Sequence, residues 1–191
     1  MGSKRKNRKK DHINHSLLLE ENLTRAVFDD ITIVHNCLSE INVNEIDIST
    51  SLSDISLKTP IIINAMTGGM LEGEKINKEL AKIAKKHDLA MAVGSQRIAL
   101  NDSESVSSFK IVRETFPDGI IFANLGSDVT VEESQKAVDM IEADAIQIHL
   151  NVPQEVVMNE GRKNFKGTLA NIKDIINYLS VPVIVKRLVL A

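Results

Sequence analysis

The sequence predicts an α/β fold built on a parallel sheet, and three observations carry the prediction. From residue 60 onward, short β-branched runs alternate with helix-periodic stretches at roughly 25–35-residue intervals, the rhythm of βα units. Each run closes on small or polar residues rather than on more hydrophobes. Hydrophobic residues make up 43% of the 191, an ordinary share for a chain with a core. That length fits one domain on the usual scale of about 100–200 residues.

Before residue 60 the texture differs. Lys4, Arg5, Lys6, Arg8, Lys9 and Lys10 form a charge run, which reads as a solvated tail or as an arm for an anionic ligand or nucleic acid. Asp11 and His12 follow, then a moderately helical stretch over 15–23. Ile31, Ile33 and Val34 predict a short strand within 28–35. Asn42-Val43-Asn44-Glu45-Ile46-Asp47-Ile48 alternates with period two, predicting a half-exposed strand in a flap or hairpin. The candidate boundary lies near residue 58: a basic tail and flap over 1–58, βα units over 59–191.

The first βα strand is Ile61-Ile62-Ile63-Asn64, entered through Pro60 and left through Ala65-Met66-Thr67-Gly68-Gly69. Ile76, Leu80, Ile83 and Ala84 recur at helical spacing and predict a helix over 74–87. Strands are expected at 89–93, 119–123, 145–150 and 181–185. Helices are expected at 103–115, 131–142, 153–158 and 168–179.

Composition excludes several classes. Aromatics are 3%, with no Trp and one Tyr, so stacking on nucleic-acid bases is not supported. The net charge of −3 is that of no general polyanion binder. Cys37 is alone, which rules out an internal disulfide or a cysteine metal cluster and suits a reducing compartment. The expected location is cytoplasmic. No apolar run approaches the ~18 residues of a membrane span, and the basic start lacks the apolar segment of a signal peptide.

The polar residues fall in a pattern. The first strand gives Met66 and Thr67, the second Ser95, Gln96 and Arg97, the third Asn124, the fourth His149, Asn151, Gln154 and Glu155, the fifth Lys186. Singly, each has an ordinary reading: Asn124 and Asn151 as turn caps, Lys186 as a solvated cation, His149 as a satisfied core histidine. Together, all at carboxyl ends of strands, they describe the mouth of a (β/α) barrel. Other chemistries fail on their motifs. Gly68-x4-Gly73 begins like a phosphate loop, but Glu74 stands where its Lys belongs. There is no dinucleotide-binding glycine fingerprint after a strand, no nucleophile elbow, and no zinc spacing among the five histidines.

Five motifs resemble those of the type 2 isopentenyl-diphosphate Δ-isomerases, FMN-dependent (β/α)8 TIM-barrel enzymes. They are Arg8-Lys9-Lys10-Asp11-His12, Asn64-Ala65-Met66-Thr67-Gly68-Gly69, Gly94-Ser95-Gln96-Arg97, Asn124-Leu125-Gly126, and His149-Leu150-Asn151 with Gln154-Glu155. The resemblance implies that Ala65, Met66, Thr67, Ser95, Asn124 and Lys186 line the flavin, with Lys186 balancing the charge of its reduced form. It implies Arg8, Lys9, Ser95, Gln96, Arg97 and Gln154 on the substrate diphosphate, which needs several donors and cations. It implies Glu155 as the Mg²⁺ ligand, Gln154 and His149 as catalytic residues, NADPH as the reductant that primes the flavin, and a homo-oligomeric full-length family. The reaction implied shifts a double bond from the isopentenyl to the dimethylallyl position, in a pocket closed against water.

The pattern departs from the family at its end. Five strands are accounted for instead of eight, and the loops that usually hold a barrel's phosphate follow strands seven and eight. This chain is therefore expected to bind FMN weakly and to have little activity. Arg187-Leu188-Val189-Leu190-Ala191 stands where the family reads Glu-Val-Gly-Phe-Gly; loss of a single base would convert one reading into the other, and a frameshift is the expectation. Three other readings remain open: another FMN barrel oxidoreductase, a non-catalytic half-barrel, and a nucleic-acid binder working through the basic tail.

Overall fold

The computed structural model of the protein describes residues 11, 13–15, 18, 31–159 and 161–187. Arg8, Lys9, His12 and the tail 188–191, on which several expectations rest, lie outside the described residues. The chain divides into two compact units, Met1–Ile48 and Ser49–Ala191.

In the first unit, His15 and Leu18 are helical, as the stretch 15–23 predicts. Two strand expectations are overturned. Residues 31–34 form no strand, and 42–48 turns through a 3-10 element, Val43–Glu45. The reason is local. The Asn42 side chain accepts the Asn44 amide at 3.0 Å, an Asx turn that competes with extended backbone. Val43, Ile46 and Ile48 are all exposed, so no buried face rewards the alternation.

The second unit opens with a hairpin, β1 (Thr50–Leu52) antiparallel to β2 (Ile55–Leu57), turned by Ser53 at φ 53° and Asp54. The hairpin thus belongs with the βα units and not with the basic tail. Five parallel strands follow: β3 (Ile62–Ile63), β4 (Ala90–Ala92), β5 (Ile121–Gly126), β6 (Ala145–His149) and β7 (Val183–Lys186), lying side by side in chain order. Between them run α1 (Leu71–His87), α2 (Ser107–Thr115), α3 (Val131–Ile141), α4 (Val152–Val157) and α5 (Thr168–Tyr178). Right-handed crossovers repeated in one direction place successive helices on one face of the sheet.

The two faces differ in what they bury. Met91, Val93, Ile121, Ala123, Ile146 and Ile148 pack against helical residues such as Ala81, Phe109, Val112, Ala137 and Ile175. Their alternate neighbours Ala90, Ala92, Phe122 and Ala145 form a second cluster with Leu57 of the hairpin, flanked by Leu52 and Ile55. The hairpin therefore covers the inner face at the amino ends of the strands. Toward the carboxyl ends the same face becomes polar, because the register pairs Asn124 with Gln147 and His149 with Lys186.

The helix ends follow their sequence. Glu72 and Glu74 begin α1 and Lys85, Lys86 and His87 end it, complementing the helix dipole. Thr130 and Glu133 form a capping box on α3. The helix expected over 103–115 breaks into a 3-10 turn, Ser103–Ser105, and α2, since Asp102 caps the Glu104 amide first. Among the described residues no helix is long and apolar enough to cross a membrane.

Candidate active site

The polar end of the inner face holds two hydrogen-bonded sets side by side. Asn124 and Gln147 are both buried. Asn124 Oδ1 lies 3.2 Å from His149 Nδ1; an amide oxygen only accepts, so this ring nitrogen carries the proton. Lys186 Nζ donates to Gln147 Oε1 at 2.6 Å and lies 3.5 Å from Asn64 Oδ1. Three strands thus contribute Asn124, His149 and Lys186 to one patch.

Burial governs the charges here. The His149 pKa falls from 6.5 to about 4, first through desolvation and then through the charges of Lys186 and Arg187, against a smaller opposing pull from Asp128. The Lys186 pKa falls from 10.5 to about 8, again mainly through desolvation, with Arg187 adding to it. At neutral pH His149 is therefore a neutral imidazole beside a protonated Lys186.

Two stretches flank the cluster. Residues 64–69 leave β3 on a buried scaffold. The Thr67 carbonyl accepts Gly94 N–H at 2.9 Å and Asn77 Nδ2 at 3.2 Å. Gly69 N–H donates to Ser108 Oγ at 2.6 Å, and Ser105 Oγ donates to the Gly69 carbonyl at 3.3 Å. Gly68 sits at φ 145° with the Phe109 ring where a Cβ would stand. Met66 is left 69% exposed. The Thr67 hydroxyl is buried without a hydrogen-bond partner, and it stands 2.7 Å from where a Cβ on Gly73 would be, beside α1.

The other stretch leaves β6. Asn151, at φ 47°, begins α4; its Nδ2 donates to Gln154 Oε1 and its Oδ1 accepts from Arg187. Glu155 Oε2 accepts the Arg162 backbone N–H at 2.7 Å, and among the described residues no hydrogen bond engages the other oxygen. Lys163 Nζ donates to the carbonyls of Glu155, Val156 and Met158 at 3.1, 2.6 and 2.8 Å. Gly161 packs against the Glu155 backbone where no Cβ would fit. The Arg162 guanidinium bonds Ser127 and Thr168 and lies 4.7 Å over the Phe165 ring. A cavity of about 30 Å³ separates His149 from Glu155, bordered by Gly126, Asp128 and Arg162.

The expected site residues therefore sort unevenly. Asn124, His149 and Lys186 come together, with Gln154 and Glu155 on the neighbouring short helix and Ala65 and Met66 on the first loop. Ser95 is half-buried at the end of β4. Arg97 is ion-paired with Glu133 at 2.7 Å and Asp128 at 3.5 Å. Gln96 departs from the expectation of a diphosphate ligand. Its side chain is fully buried, donating to the Ala137 carbonyl at 2.9 Å and accepting the Asn124 N–H at 3.1 Å. Gln147 and Asn64 join the cluster without having been singled out. Gln147 had a signal, since a polar residue alternating with Ile146 and Ile148 marks the non-helical face.

The chain is 50% identical over 186 residues to proteins named isopentenyl-diphosphate delta-isomerase from Bacillus cereus (strain AH187) and, at a slightly weaker match, Bacillus thuringiensis subsp. konkukian (strain 97-27). It is 50% identical over 184 residues to one from Geobacillus sp. (strain WCH70). The chain is similar to isopentenyl-diphosphate delta-isomerases. These alignments take in 96% of this chain and 52% of each relative, so the chain spans about half the length of the curated isomerases it matches. No protein-family model matches. Among solved structures, a universal stress protein from Archaeoglobus fulgidus overlaps 65% of this chain and 90% of its own, at 17% identity and a TM-score of 0.26. An overlap that slight carries no argument about the isomerase reading.

Proposed function

We propose that this chain carries part of the active site of a type 2 isopentenyl-diphosphate isomerase, a (β/α)8-barrel enzyme that uses reduced FMN and Mg²⁺ to interconvert isopentenyl and dimethylallyl diphosphate. The observation that carries the reading is the Asn124–His149–Lys186 cluster on the inner face at the carboxyl ends of β5, β6 and β7. That is where βα folds bind ligands, and the similarity to named isomerases supports the substrate.

The residues fit the groups this function needs. Ala65, Met66, Ser95, Asn124 and Lys186 border the mouth from four of the five parallel strands, as a flat cofactor lying across it requires. Bound reduced FMN would supply proton transfer at the reacting carbons. Lys186 supplies positive charge beside it, and neutral His149 supplies a hydrogen-bonding edge that does not compete for the substrate's anion. Glu155 offers one carboxylate oxygen. Among the described residues no set of three or more His, Cys, Asp or Glu side chains gathers for a metal. Mg²⁺ would therefore take its remaining oxygens from diphosphate and water, the usual habit of this ion. Arg97 would add a cation to the diphosphate by releasing Asp128, the longer of its two ion pairs.

The test is an FMN titration of the chain followed by flavin fluorescence, then assay of dimethylallyl diphosphate formation from isopentenyl diphosphate with Mg²⁺. In a complete form of the enzyme, Glu155→Gln should raise the Mg²⁺ concentration needed while leaving FMN bound. Flavin bound with oxidation of a reduced pyridine nucleotide, and no isomerisation, would replace this reading with an oxidoreductase.

A further inference from the structure

Gln96 is wholly buried between Ser95 and Arg97, which stay partly exposed. Its place is explained by the ladder between β4 and β5. Met91 N–H donates to the Ile120 carbonyl at 2.9 Å and Val93 N–H to the Phe122 carbonyl at 3.1 Å. The next rung belongs to the Asn124 N–H, which in continued register would face the Val93 carbonyl. But β4 ends at Ala92, and Gly94 is drawn the other way, donating to the Thr67 carbonyl at 2.9 Å. A buried N–H left without an acceptor there would cost about 1–3 kcal/mol. The Gln96 side-chain oxygen fills the rung at 3.1 Å.

The orientation of that amide is unique. Asn124 N–H can only donate and the Ala137 carbonyl can only accept, so Oε1 must face the strand and Nε2 the helix. Met140 Sδ, 3.5 Å from Nε2, closes the remaining side. One side chain thus joins the carboxyl end of β5 to the middle of α3. The residue so fixed is Asn124, whose own side chain holds His149 Nδ1.

We propose that Gln96 is a positioning residue: it completes the β4–β5 ladder with its side chain and thereby sets the Asn124–His149 pair, without touching a ligand. The inference rests on the reading above only in taking Asn124 and His149 as part of the site, and its tests need neither FMN nor substrate. In the unsubstituted chain, NMR should show a through-hydrogen-bond coupling between the Asn124 amide nitrogen and the Gln96 side-chain carbonyl carbon. In Gln96→Met, exchange of the Asn124 amide should accelerate roughly ten- to hundredfold relative to that of Phe122, the measure of one lost buried acceptor. The His149 ring should then titrate closer to its ordinary range. Gln96→Glu, protonated in so apolar a site, keeps an acceptor for Asn124 and a donor for Ala137, and should restore both readouts. A missing coupling overturns the proposal, as does unchanged Asn124 exchange in Gln96→Met. Loss of inorganic pyrophosphate binding in that variant with the Asn124 and His149 signals unmoved would make Gln96 a ligand contact instead. If Gln96→Met does not fold, the coupling and the Gln96→Glu exchange pattern decide.

Discussion

The stretches that follow β3 and β6 present candidate residues to the same mouth but are held in opposite ways. Residues 64–69 rest on the interior: Asn77 and Ser108 are buried to within 2%, and both bond the loop's backbone directly. The helix α4 has no buried residue at all. It is held from outside, by Lys163 on its carbonyls and the Arg162 amide on Glu155. A loop pinned by buried polar groups has one conformation, because each alternative strands a donor or acceptor. A short exposed helix pinned by surface contacts can open without disturbing the core. The first arrangement makes a rigid surface at the mouth, and the second leaves Gln154 and Glu155 on an element that can move.

The largest expected effect comes from removing the buried support. Asn77→Leu strips one buried donor from each of the Ser108 and Thr67 carbonyls. Urea unfolding should show a loss of about 3 kcal/mol. Next, Gly94→Ala would put a Cβ 2.5 Å from the Thr67 carbonyl oxygen, where backbone must yield. A loss of about 2 kcal/mol is expected by the same measurement. If either substitution costs no more than a surface change, the contrast between the two stretches fails.

The pH dependence should separate the regions in another way, since residues 64–69 contain no titratable side chain. His149 has a folded pKa of about 4 against the ordinary 6.5. Its neutral form is favoured by folding, so stability is full above pH 6.5 and is lost as the pH falls toward 4. The slope reaches at most about 1.4 kcal/mol per pH unit. Lys186, lowered to about 8, acts likewise as the pH falls from 10.5 toward 8. Lys186→Met should abolish that upper slope and raise the His149 pKa, though not to 6.5, because desolvation is its larger cause. NMR titration of the imidazole measures both. The smallest expected effect is Lys163→Met, which removes the clamp on α4. Amide exchange in α4 should quicken while the unfolding free energy in urea falls by less than about 1 kcal/mol; a larger global loss would show that α4 is not independent.

Much of the βα region was legible because its elements differ in period. Ile61–Ile63 and 145–149 read as strands, and the apolar repeats of α1 and α3 as helices, within a few residues of their observed ends. The carboxyl-edge cluster was legible for the same reason, since polar residues closing apolar runs can only lie at one end of the sheet. Gln96 shows the limit. Its neighbours Ser95 and Arg97 stay partly exposed, and nothing in the sequence says that β4 will stop one rung short of Asn124. Asn77 was invisible too: an Asn inside a helix has no pattern that distinguishes a solvated residue from one bonding two distant carbonyls. At 42–48 the alternation was real, but an Asx turn outcompeted a strand with no partner.

The alternation along β6 has a consequence for how such a protein can change over generations. Ala145, Gln147 and His149 face inward while Ile146 and Ile148 face the helices. Inserting or deleting one residue within this strand would exchange the two sets, driving an imidazole and an amide among the helices and two isoleucines into the mouth. Substitutions can be absorbed one side chain at a time, but a change of length here cannot. Changes of length should therefore be excluded from β6, which holds its five residues fixed.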